Sequence, residues 1–300
     1  MGIRITKRPK LNHPDLIACW PGIGNVGIIA ADTLRRQTGA KELGYIEPWD
    51  FFYPQRVSIN KGQLVSLEFP RCNFFYSRTK TRDLIFFLAG EQPSNDYTPY
   101  ASGTKAYQMA NMVLDVAQKF GCGRIYTSGA AVTQMHHTAR SQVWAVPNTS
   151  HLLDQLGQYE NTVIMSDIES KVDNVRISGM NGIMIGVAGT RGIDGICLMG
   201  EVPVYLQGLP FAYPNASKSV IEVMRAIWGL DVDFSRLDRL SARIEKEVER
   251  LYTSLPGGTK ELIDRLAQSS SPTDTGPITE EDKKYILDEI DRFFNKEEED

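Results

Sequence analysis

The apolar positions along the chain predict an alternation of strands and helices. Leu16-Ile17-Ala18-Cys19-Trp20 is a continuous apolar run, the pattern of a strand covered on both faces. It enters Pro21-Gly22-Ile23-Gly24-Asn25-Val26-Gly27, and residues 28–34 leave at helical spacing, so this stretch reads as strand, glycine turn, helix. Arg56–Asn60 and residues 64–69 alternate about Lys61-Gly62-Gln63 and predict an antiparallel hairpin. Leu84–Ala89 is again apolar throughout, as a strand at the sheet centre would be. Ala106, Met109, Ala110, Val113, Leu114, Ala117 and Phe120 then recur every three or four residues until Gly121. Further strands are predicted at 124–127, 143–146, 162–165 and 195–201, and further helices at 150–156, 181–189 and 216–228.

Beyond Gly229 the pattern narrows. Leu237, Leu240, Ile244, Val248 and Leu251 form a seam on an otherwise charged helix, which fits either packing on the chain's own domain or a contact between subunits. A short helix at 260–267 leads into a Ser/Pro/Thr-rich linker, and Thr279-Glu280-Glu281-Asp282 has the form of a capping box. The last helix carries Ile286, Ile290, Phe293 and Phe294 on one stripe, a candidate docking element together with the seam. The expected organisation is an α/β core at 1–230, an amphipathic helical appendage at 231–268, and a flexible linker with an acidic helix at 269–300.

Composition removes several function classes. With 42% hydrophobic residues in 300, the chain can bury a large core. No apolar run approaches the ~20 residues of a membrane span, and Gly2-Ile3-Arg4-Ile5-Thr6-Lys7-Arg8 lacks the hydrophobic centre of a signal peptide, so a cytoplasmic protein is expected. The net charge of −4 is concentrated in the acidic tail, leaving a nearly neutral body with no electrostatic reason to bind nucleic acid. Cys19, Cys72, Cys122 and Cys197 stand singly and predict reduced thiols rather than a metal site.

Candidate chemistry gathers at the strand ends. Gly22, Gly24 and Gly27 satisfy G-x-G-x-x-G, with Glu47 downstream as a ribose-binding acid would be, but a hairpin follows the helix where a dinucleotide fold needs a crossover. The turn is therefore either a structural tight turn or an anion site made of backbone amides. In a parallel sheet the carboxyl ends of the strands share one edge. Gly22, Gly24, Asn25, Gly27, Glu91, Gln92, Ser128, Gly129 and Glu201 all follow strand-like runs and are the candidate ligand-binding set, with Arg140 and Arg191 as unplaced cations. His136 and His137 read as solvated loop residues, since adjacent side chains diverge and no third ligand stands at helical spacing. Asp167, Glu169 and Asp173 read as a solvated turn or, less simply, as oxygens for magnesium. No nucleophile with a neighbouring base is visible, so no catalytic residue is assigned and no cofactor or metal is expected.

Pro-Gly-x-Gly-Asn-Val-Gly running into Ala-Ala-Asp-x-Leu resembles the opening signature of the proteasome assembly chaperone family. Thr127-Ser128-Gly129, Gly179-Met180-Asn181-Gly182, Arg191-Gly192-Ile193, residues 195–201 and Pro214-Asn215-Ala216-Ser217-Lys218 follow in the family's order, so the resemblance covers about residues 16–251. It implies a three-layer α/β sandwich with a mixed, largely parallel sheet, like that of purine nucleoside phosphorylases, and a group also classed as ATP-grasp-like. It implies a non-enzymatic protein that self-assembles and binds other subunits, proteasome-like ones among them. The alternative it leaves open is a nucleotide- or phosphate-binding enzyme, either an ATP-grasp-like carboxylate-amine ligase or a phosphorylase-like protein. Some members end in a hydrophobic residue, tyrosine and any residue. Glu298-Glu299-Asp300 departs from that tail and argues against direct engagement of a proteasome ring through it.

Overall fold

A computed structural model describes residues 2–96, 100–164, 176–267 and 278–297. Its strands are β1 (Ile3–Ile5), β2 (Asp15–Cys19), β3 (Lys41–Ile46), β4 (Arg56–Asn60), β5 (Gln63–Glu68), β6 (Cys72–Ser77), β7 (Leu84–Ala89), β8 (Arg124–Thr133), β9 (Val143–Pro147), β10 (Thr162–Ile164) and β11 (Asp194–Pro203). Its α-helices are α1 (Val26–Gln37), α2 (Gly103–Lys119), α3 (Leu153–Leu156), α4 (Gly179–Thr190), α5 (Pro214–Trp228), α6 (Ser235–Ser254), α7 (Gly257–Leu266) and α8 (Glu280–Glu297).

Among the described residues nine strands form one mixed sheet, ordered β1-β3-β6-β7-β2-β8-β11-β9-β10, with β7, β2, β8 and β11 parallel at its centre. Strand β2 is buried along its whole length, and its side chains divide between two cores. Ile17 and Cys19 face a cluster that includes Leu34 of α1 and Val220 of α5, whereas Leu16, Ala18 and Trp20 face one that includes Met109 of α2 and Met184 of α4. The result is a three-layer α/β sandwich, helix on sheet on helix. Asp15, buried at the start of β2, accepts hydrogen bonds from Trp228 (3.0 Å) and Arg82 (2.8 Å), tying the sheet to α5.

The structure adds β1, β3 and β6, strands that the apolar pattern does not predict, and departs from the pattern elsewhere as well. The hairpin β4–β5 forms, but as a separate two-stranded sheet, while β3 and β6 on either side of it extend the main sheet antiparallel. Strand β3 escapes alternation analysis because its pairing register shifts between Glu42 and Gly44, so the apolar phase breaks. Strands β8 and β11 run on to Thr133 and Pro203, so Ser128, Gly129 and Glu201 lie inside strands and not in turns after them. The two long strands pair in parallel over ten residues each, and this pairing outweighs the turn preference of Ser128-Gly129-Ala130.

The C-terminal helices are continuous with the core. Leu237, Val248 and Leu251 of α6 are buried in the same cluster as Ile17, as are Ile263 and Leu266 of α7 and Ile278, Ile286 and Ile290 of the last segment. Leu240 and Ile244 are half-buried. The seam is thus largely occupied by the chain's own body. Side chains from residue 293 onward, Phe293 and Phe294 included, lie outside the described ones, as do Asp167, Glu169 and Asp173. Among the described residues no helix is long and apolar enough to cross a membrane.

Candidate functional site

The glycine turn is tightly built. Gly24 (φ 57°) and Asn25 (φ 51°) both occupy the left-handed region, where glycine is unstrained and asparagine is tolerated. The Asn25 amide donates to the Gly22 carbonyl at 2.8 Å, and Asn25 precedes α1. A Cβ at Gly24 would lie 2.7 Å from that of Tyr213, whose amide donates to the Gly24 carbonyl at 2.8 Å. A Cβ at Gly27 would lie 2.0 Å from the Ser128 carbonyl oxygen, so α1 starts against the backbone of β8. Gly22 is extended, with room around it.

The other candidates are placed as follows. Glu201 is buried and its carboxylate accepts from the Gln142 amide and from Trp144 Nε1, both at 3.0 Å, which fastens β9 to β11. Glu91 accepts from the Gln55 side chain. Gln92 joins three segments: its Nε2 donates to the Pro21 carbonyl at 2.8 Å, and its Oε1 accepts from the amides of Ala101 (3.0 Å) and Met180 (3.1 Å). Ser128 is buried, and its hydroxyl finds no partner among the described residues. Arg140 pairs with Glu222 at 2.9 Å and Arg191 with Asp115 at 2.7 Å, so neither guanidinium serves the glycine turn. The cysteine thiols are free, and burial raises each to about 12, which keeps them protonated.

From Gly24 the geometry leads through Tyr213 to a second locus at the same edge of the sheet. There the segment after β8 brings His136 and His137, the start of α5 brings Tyr213 and Asn215, and α6 crosses with Ser241, Ile244, Glu245 and Val248. Contrary to the solvated reading, His136 is buried and His137 half-buried. Tyr205 Oη lies 2.8 Å from both the His137 amide and its Nδ1. The two histidine rings stack at 4.1 Å between centroids, and Tyr252 lies 5.6 Å from His137. Burial, reinforced by the His136 neighbour, lowers the His137 pKa to about 4, so this imidazole is neutral at ordinary pH. A void of about 20 Å³ lies here beside a cleft of about 560 Å³ that shares His137, Asn215 and Glu245 with it and is lined further by Arg140, Lys218, Glu222 and Glu249. Among the described residues no group of histidines, cysteines and carboxylates could hold a metal ion.

The hairpin β4–β5 is the other exposed feature. Val57 stands opposite Leu67 and Ile59 opposite Leu64, which puts these four on one face, while Ser58 and Ser66 share the other. Val57, Ile59, Leu64, Val65 and Leu67 are 49–70% exposed. Trp49 and Tyr53, just before the hairpin, are exposed as well.

A family model described as the PAC2 family matches residues 16–252. The chain belongs to the PAC2 family. An uncharacterized protein of Methanocaldococcus jannaschii is 25% identical over 94% of this chain and 97% of its own length. Among solved structures, Pyrococcus furiosus PbaB, described as an archaeal proteasome activator, shares 25% identity at a TM-score of 0.65, covering 83% of this chain and 98% of PbaB. Pyrococcus furiosus PbaA, described as an archaeal homolog of proteasome-assembly chaperone, shares 19% identity at a TM-score of 0.61, covering 89% of this chain and 96% of PbaA. This PAC2 chain thus has the fold its glycine turn and ordered motifs implied. Its sequence held two signals for the His137 locus, the adjacent histidines and Pro214-Asn215-Ala216-Ser217-Lys218. Neither indicates that Ser241 and Glu245 of a distant helix complete the locus.

Proposed function

We propose that this PAC2 protein works by binding other protein subunits, as a chaperone-like factor for proteasome or related assemblies. It would act in the cytoplasm and as a homo-oligomer, and without chemistry of its own. The observation that carries the proposal is the hairpin β4–β5, a two-stranded ribbon with an apolar face turned to solvent. Such a ribbon is marginal in isolation, and a contiguous exposed apolar face is what a protein contact uses. The relatives described as a proteasome activator and an assembly-chaperone homolog supply the partner class. Mixing the purified full chain with purified proteasome α- and β-type subunits, and following sedimentation velocity, tests the reading. A joint boundary that Ile59→Ser with Leu67→Ser abolishes is expected. Independent sedimentation at micromolar concentration of every component would overturn it.

A further inference from the structure

The hairpin β4–β5 has two edges as well as an apolar face, and the edges differ. Among the described residues no further strand pairs with β4 or β5. Lys61 (φ 48°) and Gly62 (φ 78°) are both left-handed, so they form a two-residue turn whose flanking residues, Asn60 and Gln63, are a hydrogen-bonded pair. Hydrogen-bonded and non-hydrogen-bonded pairs alternate along an antiparallel ladder. Asn60 and Ser58 therefore turn their backbone groups toward β5, and Val57 and Ile59 turn theirs outward, to the open side of β4.

Strand β5 is guarded against further pairing and β4 is not. Ile59 stands opposite Leu64 and Ser58 opposite Ser66, which leaves Val65 as an extra residue on β5. Such a bulge interrupts the ladder and twists an edge away from other chains. Strand β4 contains neither an extra residue nor a proline. Its sequence, Arg56-Val57-Ser58-Ile59-Asn60, is also its own complement. Laid antiparallel on a second copy about a two-fold axis at Ser58, it sets Val57 opposite Ile59 and Arg56 opposite Asn60. Val57 and Ile59 then meet as hydrogen-bonded pairs, as their outward backbone groups require, and Ser58 meets Ser58 in a non-hydrogen-bonded pair. Branched residues pair on the apolar face, and no like charges meet, since Arg56 lies between Glu68 of its own β5 and Asn60 of the second copy. An axis at Ile59 would instead set Val57 against Lys61 of the turn, and one at Val57 would set Ile59 against Gln55.

We propose that two copies of this chain join edge to edge through β4, antiparallel about a two-fold axis at Ser58, making one four-stranded sheet in the order β5-β4-β4-β5. The contact is isologous and closes on itself, and it turns a marginal two-stranded ribbon into a sheet of independent stability. It rests on the homo-oligomer part of the proposed function. It uses the edge of the ribbon and brings the two apolar faces side by side for a partner subunit.

Ser58→Cys in the full chain, mildly oxidised and followed on non-reducing gels, tests the axis. Opposed residues of a non-hydrogen-bonded pair have Cα atoms about 4.5 Å apart, within the reach of a disulfide, whereas the two copies of Ser66 would lie about 14 Å apart, three strand spacings. A linked two-copy species is expected to form about tenfold faster with Ser58→Cys than with Ser66→Cys, and not to form in the parent chain. Val57→Pro removes an outward amide that β5 does not use, so the hairpin keeps its own ladder, and self-association by sedimentation equilibrium should weaken about tenfold or more. Unchanged association of Val57→Pro, linkage that is fastest at Val57→Cys, Ile59→Cys or Ser66→Cys, or no linkage at Ser58→Cys in a protein that sediments as a multimer would overturn the pairing and leave self-assembly to another surface. A parent chain that sediments as a monomer across micromolar concentrations would remove both.

Discussion

Gly27 and His137 show how far a side chain's meaning depends on what lies across from it. Any Cβ at position 27 meets the Ser128 carbonyl oxygen at 2.0 Å, and that oxygen belongs to a central strand that cannot yield. Gly27→Ala is therefore expected to destabilise the fold by about 1–3 kcal/mol, the usual range for overpacking, as measured by urea denaturation. Gly22→Ala, extended and with space around it, should change stability far less. His137 leads to a pH effect whose sign follows from burial. Its pKa falls from 6.5 to about 4 on folding, so between those values the unfolded chain binds more protons than the folded one. His137 thus makes stability rise as pH increases from about 4 to 6.5 and level off above. Urea midpoints across that window should show the slope, and His137→Gln should flatten it.

Among the elements, the last helix is the place where amphipathic pattern and tertiary role part company. Its stripe reads equally well as a free docking surface or as core, because the spacing of apolar residues says which face seeks cover and not what covers it. Ile286 is fully buried and Ile290 nearly so against the chain's own core. Ile286→Ala should cost about 2–5 kcal/mol, and removing residues 278–300 should lower the melting temperature by calorimetry, not leave it unchanged. A truncated chain that melts with the parent would return this helix to the role of a free arm. Helix α6 presents the same ambiguity, with Leu237, Val248 and Leu251 turned inward and Ile244 left beside the His137 void.

For the molecule as a whole, the exposed apolar hairpin and the family resemblance both favour assembly. A closed homo-oligomer is expected, with a light-scattering mass that is an integral multiple of the chain mass and does not grow with concentration, as closed symmetry requires. If the hairpin is also the contact between copies, Ile59→Ser with Leu67→Ser should reduce that mass to the monomer while leaving the melting of the core nearly intact, because β4–β5 is a sheet of its own. A monomer across the micromolar range would remove self-assembly from the proposed function.

The central strands, the glycine turn, the helices on either face and the hairpin are local statements, legible in the order of residues without any knowledge of what packs on them. A run such as Leu16–Trp20 can be satisfied only by burial on both faces, and Lys61-Gly62 between two alternations turns the chain back without help. Strand β3 was not legible, since its irregular register removes the alternation by which a strand is read. The end of β8 was decided by ten residues of β11 pairing alongside it. The candidate locus was hidden for the same reason. Its void exists because His137, Tyr213 and Ser241 come from three segments that meet at one sheet edge, and that the Tyr213 and Ser241 hydroxyls have no partner among the described residues is visible only once the chain is folded. Local sequence sets which faces must be covered and where the backbone must bend; long-range packing chooses the cover, and polar groups left over from that choice belong to the folded chain alone.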